Sequence, residues 1–363
     1  MLGIILSGII FFGLKPDDFA STNDVEWLKH QAGIRFKDYG MVHSDPFIES
    51  LGTDSFGKRG FSIEIALRPE SLNENRFKFI FLIHNGSDTV QLLVGQWRSN
   101  IILMNGNDYS WKRRTKRLTF DIASLKTKTN LLTVTSGDSG TKLYCNGELV
   151  KTSKDLTLKM PENEKSRVIL GNSADGNSPW AGDIYGVAFY SFILTDLNVT
   201  RHYKRWTDDN NFLFAANKKP TALYLFDEKE GPQVIDHSGQ NQNLKIPPRV
   251  PVLEKRFLTA PWTGFKFNTN SVEDVLVNVV GFIPLGFVVI ALFVGSAGRV
   301  SIQSVIITVT ICLTLSLMIE VLQAWIPKRS SSMLDLMMNT LGALTGAFFF
   351  KFSFSPASVE PTK

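Results

Sequence analysis

The chain has 363 residues, of which 20% are charged, with a formal net charge of +5 and two cysteines. So few cysteines exclude a disulfide-stapled scaffold, and so small a charge excess leaves no footprint for a nucleic-acid partner. The average also conceals a division, because a polar stretch of roughly 240 residues precedes an apolar C-terminal quarter.

In chain order, the first feature is an apolar run over 2–14, directly after Met1 and without a basic flank. It predicts a first transmembrane helix or uncleaved anchor over 1–16. A signal peptide is the lesser alternative, since no small-x-small cleavage site follows.

From about 61 to 190 the chain alternates short β-prone runs with turn residues. Strands are predicted at 61–68, 77–83, 90–94, 100–104, 131–135, 142–145, 167–171 and 183–190. Asn-Gly at 85–86, 105–106 and 146–147, Ser-Gly at 136–137 and Asp-Gly at 175–176 predict tight turns, because these residues tolerate positive φ. One helix is expected over 195–205, with Thr195 as N-cap and Asp196 in the first turn. Cys145 lies in this polar region and Cys312 in an apolar run, so both are expected as packed free thiols. The basic run Trp111-Lys112-Arg113-Arg114-Thr115-Lys116-Arg117 suits an anionic polymer or lipid headgroups, although a solvated loop between strands is the preferred reading.

Phe61-Ser62-Ile63-Glu64-Ile65-Ala66-Leu67-Arg68-Pro69 resembles the strand that opens the core of laminin-G-like, concanavalin A-like domains. The hairpin Thr141–Val150 and the stretch Trp180–Tyr190 followed by Leu194-Thr195 are similar to their later strands. Ala222–Phe226 with Gly231 and the run 234–239 resembles their "Phe-x-Glu-x-x-Gly…Asp-x-Ser-Gly" segment. The resemblance implies an all-β antiparallel jelly-roll sandwich over 25–244. The fold serves lectins, glycanases and adhesion modules alike.

Retaining glycanases need two carboxyl groups about 5 Å apart, two or four residues apart on one strand. The Glu-x-Asp-x-x-Glu pattern is absent: Glu64 stands alone on its strand, and Asp183 has no acidic neighbour at those offsets. Glycan binding is the better expectation. Trp97, Tyr109, Trp111 and Trp180 fall near predicted loops, where rings can stack on sugars, though core packing is the default for each aromatic. No cofactor is expected. Asp175, Asn177 or Asp183 offer oxygen ligands for Ca2+, but their spacing fits no defined loop.

A linker is predicted over 245–271, followed by spans at 275–294, 300–322 and 334–352 and a tail at 355–363. Together with the first run this gives an α-helical transmembrane bundle of three or four helices. Two copies of Asp-x3-Asn-x2-Gly open the first and third spans, at Asp274, Asn278, Gly281 and at Asp335, Asn339, Gly342. The middle span closes on Glu320 and Gln323, and Arg329 follows. Ionisable groups at the mouth of hydrocarbon-spanning helices are costly and are seldom present without a use. With the sandwich outside, Asp274, Glu320, Gln323, Arg329 and Asp335 all fall at one surface, and the two repeat helices run parallel. Loop charge is balanced between the two sides, so this orientation rests on the sandwich being exported. Arg329 is a fork suited to phosphate or carboxylate. Asn278 and Asn339 are placed to bridge helices or orient a ligand, and Gly281, Gly286, Gly342 and Gly346 to allow close helix approach. The plainer alternative is interhelical glue.

The series Asp274-x3-Asn278, Gly281-Phe282-Ile283-Pro284-Leu285-Gly286, Ser316-x3-Glu320-x2-Gln323, Arg329 and Asp335-x3-Asn339-x2-Gly342 resembles the VanZ-like membrane family over about 272–350. The resemblance implies a small helical protein of the bacterial envelope, in a family named for a member linked to resistance to teicoplanin, a glycopeptide antibiotic, and without an established reaction. It also implies a helix before the first repeat, for which 2–14 is the candidate. The leading expectation is a multi-pass protein of the bacterial cytoplasmic membrane with an extracytoplasmic glycan- or polymer-binding sandwich. Its bundle would recognise an anionic or lipid-linked group, with membrane lipid and a glycan, peptidoglycan precursor or anionic polymer as partners. The alternatives are a membrane-embedded hydrolase or transferase, with Glu320 or Asp335 as base, and an interaction scaffold in polysaccharide export.

Overall fold

A computed structural model describes residues 1–14, 22–46, 60–109, 114–124, 129–161, 165–209, 220–261, 269–294, 300–326, 329 and 331–354. The predictions at Trp111, in the turn 295–299 and in the tail 355–363 lie outside the described residues. Two compact units are present: Ser21–Glu254, and Met1–Ala20 with Lys255–Lys363.

Helix α1 (Leu2–Leu14) is followed by β1 (Val25–Trp27), β2 (Ile34–Phe36), β3 (Val42–Ser44), β4 (Phe61–Pro69), β5 (Phe77–His84), β6 (Leu92–Trp97), β7 (Asn100–Asn105) and β8 (Arg117–Asp121). Next come β9 (Asn130–Gly137), β10 (Gly140–Cys145), β11 (Glu148–Ser153), β12 (Arg167–Leu170), β13 (Gly182–Tyr190), α2 (Asp196–Asp209), β14 (Ala222–Tyr224), β15 (Gln233–Val234) and β16 (Leu244–Lys245). Three long helices close the chain: α3 (Thr269–Val294), α4 (Ile302–Gln323) and α5 (Met333–Phe354).

The first unit is a sandwich of two antiparallel sheets. One runs β1-β2-β13-β4-β9-β10-β11 with β14 added to β13, and the other runs β15-β16-β3-β12-β5-β6-β7-β8. Alternation along β4 sends Phe61, Ile63, Ile65 and Leu67 into the core between the sheets. That strand was expected to be half-buried, yet Ser62, Glu64 and Ala66 are buried too. Helix α2 explains the difference: its Val199 packs with Tyr144, Tyr190 and Leu194 over the outer face of the sheet. The helix starts as predicted, with Thr195 Oγ1 accepting from Asn198 N at 3.3 Å, but runs on to Asp209. Of the three Asn-Gly dipeptides, 146–147 forms the expected two-residue turn, whereas 85–86 lies in a longer connection and Asn105 ends β7. At the β10–β11 hairpin, Asn146 and Gly147 have φ of 55° and 81°, as a type I′ turn requires.

Three further readings change in the structure. Gly137 ends β9 and pairs with Gly140, so the turn predicted at 136–137 falls two residues later, at 138–139. Arg117 is no solvated loop cation: its side chain is 2% exposed and pairs with the equally buried Asp108 at 3.2 Å. Residues 245–254, expected as linker, belong to the sandwich. Val250 is buried with Tyr39 and Met41 on the outer face of the second sheet, and Leu253 N donates to Ala174 O at 2.8 Å.

In the second unit, the apolar segments 272–294, 302–323 and 333–354 have 23, 22 and 22 residues, each long enough to cross a membrane. At about 1.5 Å rise per residue they match a hydrocarbon core of about 30 Å. Helix α1, with 13 residues, is shorter, and packs Leu2, Ile5, Leu6 and Ile9 against a cluster containing Phe282, Leu285, Cys312 and Ile319. Helix α4 turns its small polar residues inward. Ser304, Thr308, Cys312, Ser316, Glu320 and Gln323 are buried, whereas Ile302, Ile306, Ile311, Leu317, Met318 and Val321 are exposed. A lipid solvent favours this arrangement, since polar groups satisfied within the bundle need not meet hydrocarbon.

Candidate functional site

Helices α3 and α5 meet backbone to backbone. A methyl group on Gly342 would lie 2.2 Å from Val279 O, one on Gly346 2.0 Å from Ile283 O, and one on Gly286 2.0 Å from Ala343 O. The first two contacts advance four residues on both helices, so the pair runs parallel. Gly281 departs from expectation, as a Cβ there would meet nothing within 4 Å.

This pairing sets the first repeat beside the second. The Asn278 side chain lies close to the Asp335 carboxyl, which is also within electrostatic reach of Asp274 and Arg329. Asn339, four residues into the second repeat, instead donates from Nδ2 to Ser316 Oγ of α4 at 2.9 Å. The two copies are alike in sequence and different in use: one asparagine bridges α3 to α5, the other α5 to α4.

Glu320, 1% exposed, accepts from the backbone N of Ser332 at 2.7 Å, with the Ser331 side chain close by. Ser331 is anchored in turn, because its Oγ accepts from Leu258 N at 3.1 Å and its carbonyl from Thr259 N at 3.0 Å. Gln323 Nε2 and Arg329 Nη2 both donate to the carbonyl of Gly13, at 2.7 and 2.9 Å. An amide and a guanidinium thus cap the C-terminal end of α1, where carbonyls lack helical partners. The structure brings together Asp274, Asn278, Glu320, Gln323, Arg329 and Asp335, with Asn339 one turn deeper. Ser316 stood in the sequence series, whereas Gly13, Ser331 and Thr259 were not found from sequence, since a backbone carbonyl and isolated hydroxyls carry no pattern. Two buried acceptors, Gln323 Oε1 and Asn339 Oδ1, have no hydrogen-bond partner among the described residues.

The glycan candidates of the sandwich separate. Trp180 is 0% exposed, donates from Nε1 to Gln96 Oε1 at 2.6 Å and packs near Phe36, so it is a core residue with no face for a sugar. Tyr109 is half-buried against Phe77 and Phe79, its hydroxyl accepting from Gln91. Trp97 is 39% exposed, with the Arg98 guanidinium 4.8 Å from the ring centroid.

A groove of about 840 Å³ opens instead beside Arg35, Lys37, Asp38, Arg68, Glu70 and Asp183. Asp183 accepts from Arg35 Nε at 2.7 Å and Nη2 at 3.1 Å, from Arg68, and from the Tyr185 hydroxyl at 3.2 Å. Two guanidiniums therefore occupy the carboxylate considered for Ca2+. Asp175 accepts from Ser173 Oγ and Asn177 N within its own turn, as a turn residue does. Burial pushes the Asp183 carboxyl up, but the hydrogen bonds from Arg35 and Arg68 outweigh it and hold the group below the usual carboxylate range. Its stabilising contribution is therefore complete above the unfolded value, near pH 4, and is lost as pH falls through the lower folded value. Asp183→Asn should cost about 1–2 kcal/mol at pH 7, since both guanidiniums are partly solvated, and should flatten the acid limb of stability. Urea unfolding between pH 2 and pH 7 checks this; parallel wild-type and variant curves would contradict it.

Glu64, alone on its strand by sequence, is held by Thr133 Oγ1 at 3.1 Å, the Tyr190 hydroxyl at 2.9 Å and His202 Nδ1 at 3.0 Å. All are buried, so this group ties α2 to the sheet and does not face a substrate.

Residues 221–354 match the VanZ/LLP1 family, and residues 48–200 match the family described as the concanavalin A-like lectin/glucanases superfamily. The VanZ match begins just before β14, so it takes in the last strands of the sandwich as well as α3–α5. Solved structures similar to the chain include the binding domain of botulinum neurotoxin DC in complex with rat synaptotagmin II, at 16% identity and a TM-score of 0.39. That similarity covers 50% of this chain and 45% of the other. The Ruminococcus gnavus IT-sialidase CBM40 is also similar, at 18% identity and a TM-score of 0.38, covering 47% of this chain and 96% of that one. The chain spans less than half the length of the botulinum structure. No curated protein matches it.

Proposed function

We propose that the chain is a bacterial cell-envelope protein of the cytoplasmic membrane whose VanZ-like bundle recognises an anionic envelope group. A lipid-linked phosphate would be such a group, reaching Arg329 at one face of the membrane. The sandwich, on the extracytoplasmic side, binds a glycan or surface polymer in the groove beside Arg35 and Arg68. One observation carries the bundle half. Arg329 is half-buried among Asp274, Glu320 and Asp335 but, among the described residues, is ion-paired with none of them, and only its bond to Gly13 is spent. A guanidinium has five N–H donors in a planar fork, so donors remain for an oxyanion. The sandwich half rests on the groove's polar walls and on the match to a lectin and glucanase superfamily.

The bundle is tested by native mass spectrometry of the full chain released from vesicles of phosphatidylglycerol mixed with phosphatidylcholine. Wild type should retain the anionic lipid, Arg329→Gln should reduce retention about tenfold, and Arg329→Lys, which keeps a donor for Gly13, should recover part of it. Equal retention by all three would end the proposal. For the sandwich, a glycan array probed with the full chain should give signals that fall with Arg35→Gln; a silent array removes that half.

A further inference from the structure

The loops after β14 and β15 bring three potential metal ligands together. Asp227, Glu228 and His237 each present one ligand atom, and these atoms lie within 4.8 Å of one another. His237 Nε2 stands 3.3 Å from Asp227 Oδ1. A tetrahedral Zn2+ with bonds of about 2.0–2.1 Å spaces its ligand atoms about 3.3 Å apart, so this pair already has the length of one tetrahedral edge.

The frame around the three residues is fixed. Phe226, immediately before Asp227, is fully buried. His237 N donates to Leu223 O at 2.8 Å. The neighbouring Asp236 accepts from Leu223 N, Ser238 N and Gln242 N, at 2.9, 2.9 and 3.1 Å, and so locks the loop that carries the histidine. Glu228 Oε1 accepts from Ile235 N at 2.6 Å, which joins the two loops. Its other oxygen, Oε2, is buried and has no hydrogen-bond partner among the described residues. A buried carboxylate oxygen without a donor is costly and is commonly explained by a missing ion or water.

We propose that Asp227, Glu228 and His237 form a surface site for a divalent transition metal, with Zn2+ the best fit. The donor set decides the class of ion. Imidazole with two carboxylates suits Zn2+, whereas Ca2+ takes six to eight oxygens and has no preference for a ring nitrogen. Three protein ligands leave a fourth position, and the side chains of Asp227 and His237, 49% and 34% exposed, place that position toward water. The glutamate, already oriented by Ile235 N, is the ligand that needs least rearrangement.

The test uses the full chain in detergent micelles after chelator treatment, with Zn2+ as titrant in calorimetry and Co2+ as a spectroscopic substitute. Wild type should bind one Zn2+ that His237→Ala and Asp227→Asn each weaken at least about tenfold. Its Co2+ complex should show the intense visible bands of tetrahedral coordination, and His237→Ala should remove them. Because Asp227 is exposed, Asp227→Asn keeps the fold even if the histidine variant does not. Glu320→Gln, in the other unit, should leave Zn2+ binding unchanged. Absence of binding by wild type, or wild-type affinity retained by both site variants, would show that His237 and Asp227 form an ion pair only.

Discussion

Replacing Gly346 by leucine should force α3 and α5 apart and destabilise the helical unit by about 3 kcal/mol or more. The Cβ alone would sit 2.0 Å from Ile283 O and 2.8 Å from Phe287 N. Both are backbone atoms of a neighbouring helix, so no rotamer change relieves the clash, unlike overpacking in a side-chain core, which typically costs 1–3 kcal/mol. In hydrocarbon there is little hydrophobic force to hold displaced helices together, because association depends on close packing. Gly281→Leu supplies the control, since its Cβ meets nothing within 4 Å and its cost should stay within about 0.5 kcal/mol. Thermal unfolding of both variants in the same detergent reads the difference. Similar melting temperatures would refute close packing at Gly346. The prediction separates two glycines that sequence reasoning had treated alike.

Trp180→Ala should remove about 3–5 kcal/mol from the sandwich, a loss set by the cavity left behind a fully buried indole. The ring packs near Phe36 and lies so close to the chain at Gly182 that a Cβ there would be 2.5 Å from it. Removing it also strands Gln96 Oε1, which accepts the indole N–H at 2.6 Å inside the core. In a domain of this size, about 3–5 kcal/mol corresponds to a drop in melting temperature on the order of 10 °C. Circular dichroism of the full chain should show that drop in the β signal, with the helical signal little changed at the same temperature. A variant with wild-type stability and altered binding on a glycan array would instead return Trp180 to the list of sugar-stacking residues.

The long strands were readable because their residues alternate and their ends carry Asn-Gly or Asp-Gly. The short ones were not. Ile34–Phe36 and Val42–Ser44 have three residues each, too few to show a period, and they form because neighbouring strands offer them unpaired edges. Glu64 was misjudged for a related reason, as the helix that covers it begins more than a hundred residues later and its burial is set by tertiary packing. In the bundle, the spacing of Asp274, Asn278, Asp335 and Asn339 put these residues on defined helix faces. It gave no indication that Asn278 would turn to Asp335 while Asn339 turned to Ser316. That difference follows from which helix each face meets. The partnership of Arg329 and Gln323 with Gly13 was unreadable altogether, because the acceptor belongs to the backbone.

That partnership bears on how the protein comes off the ribosome. The Gly13 carbonyl and the Gln323 amide are 310 positions apart, and the Arg329 guanidinium comes six later. At translation rates of about 5–20 residues per second, the end of the first helix waits roughly 15–60 s for its partners, while the intervening domain has time to fold. The position of the first helix is consequently provisional until then, and its final seating is among the last events of biogenesis.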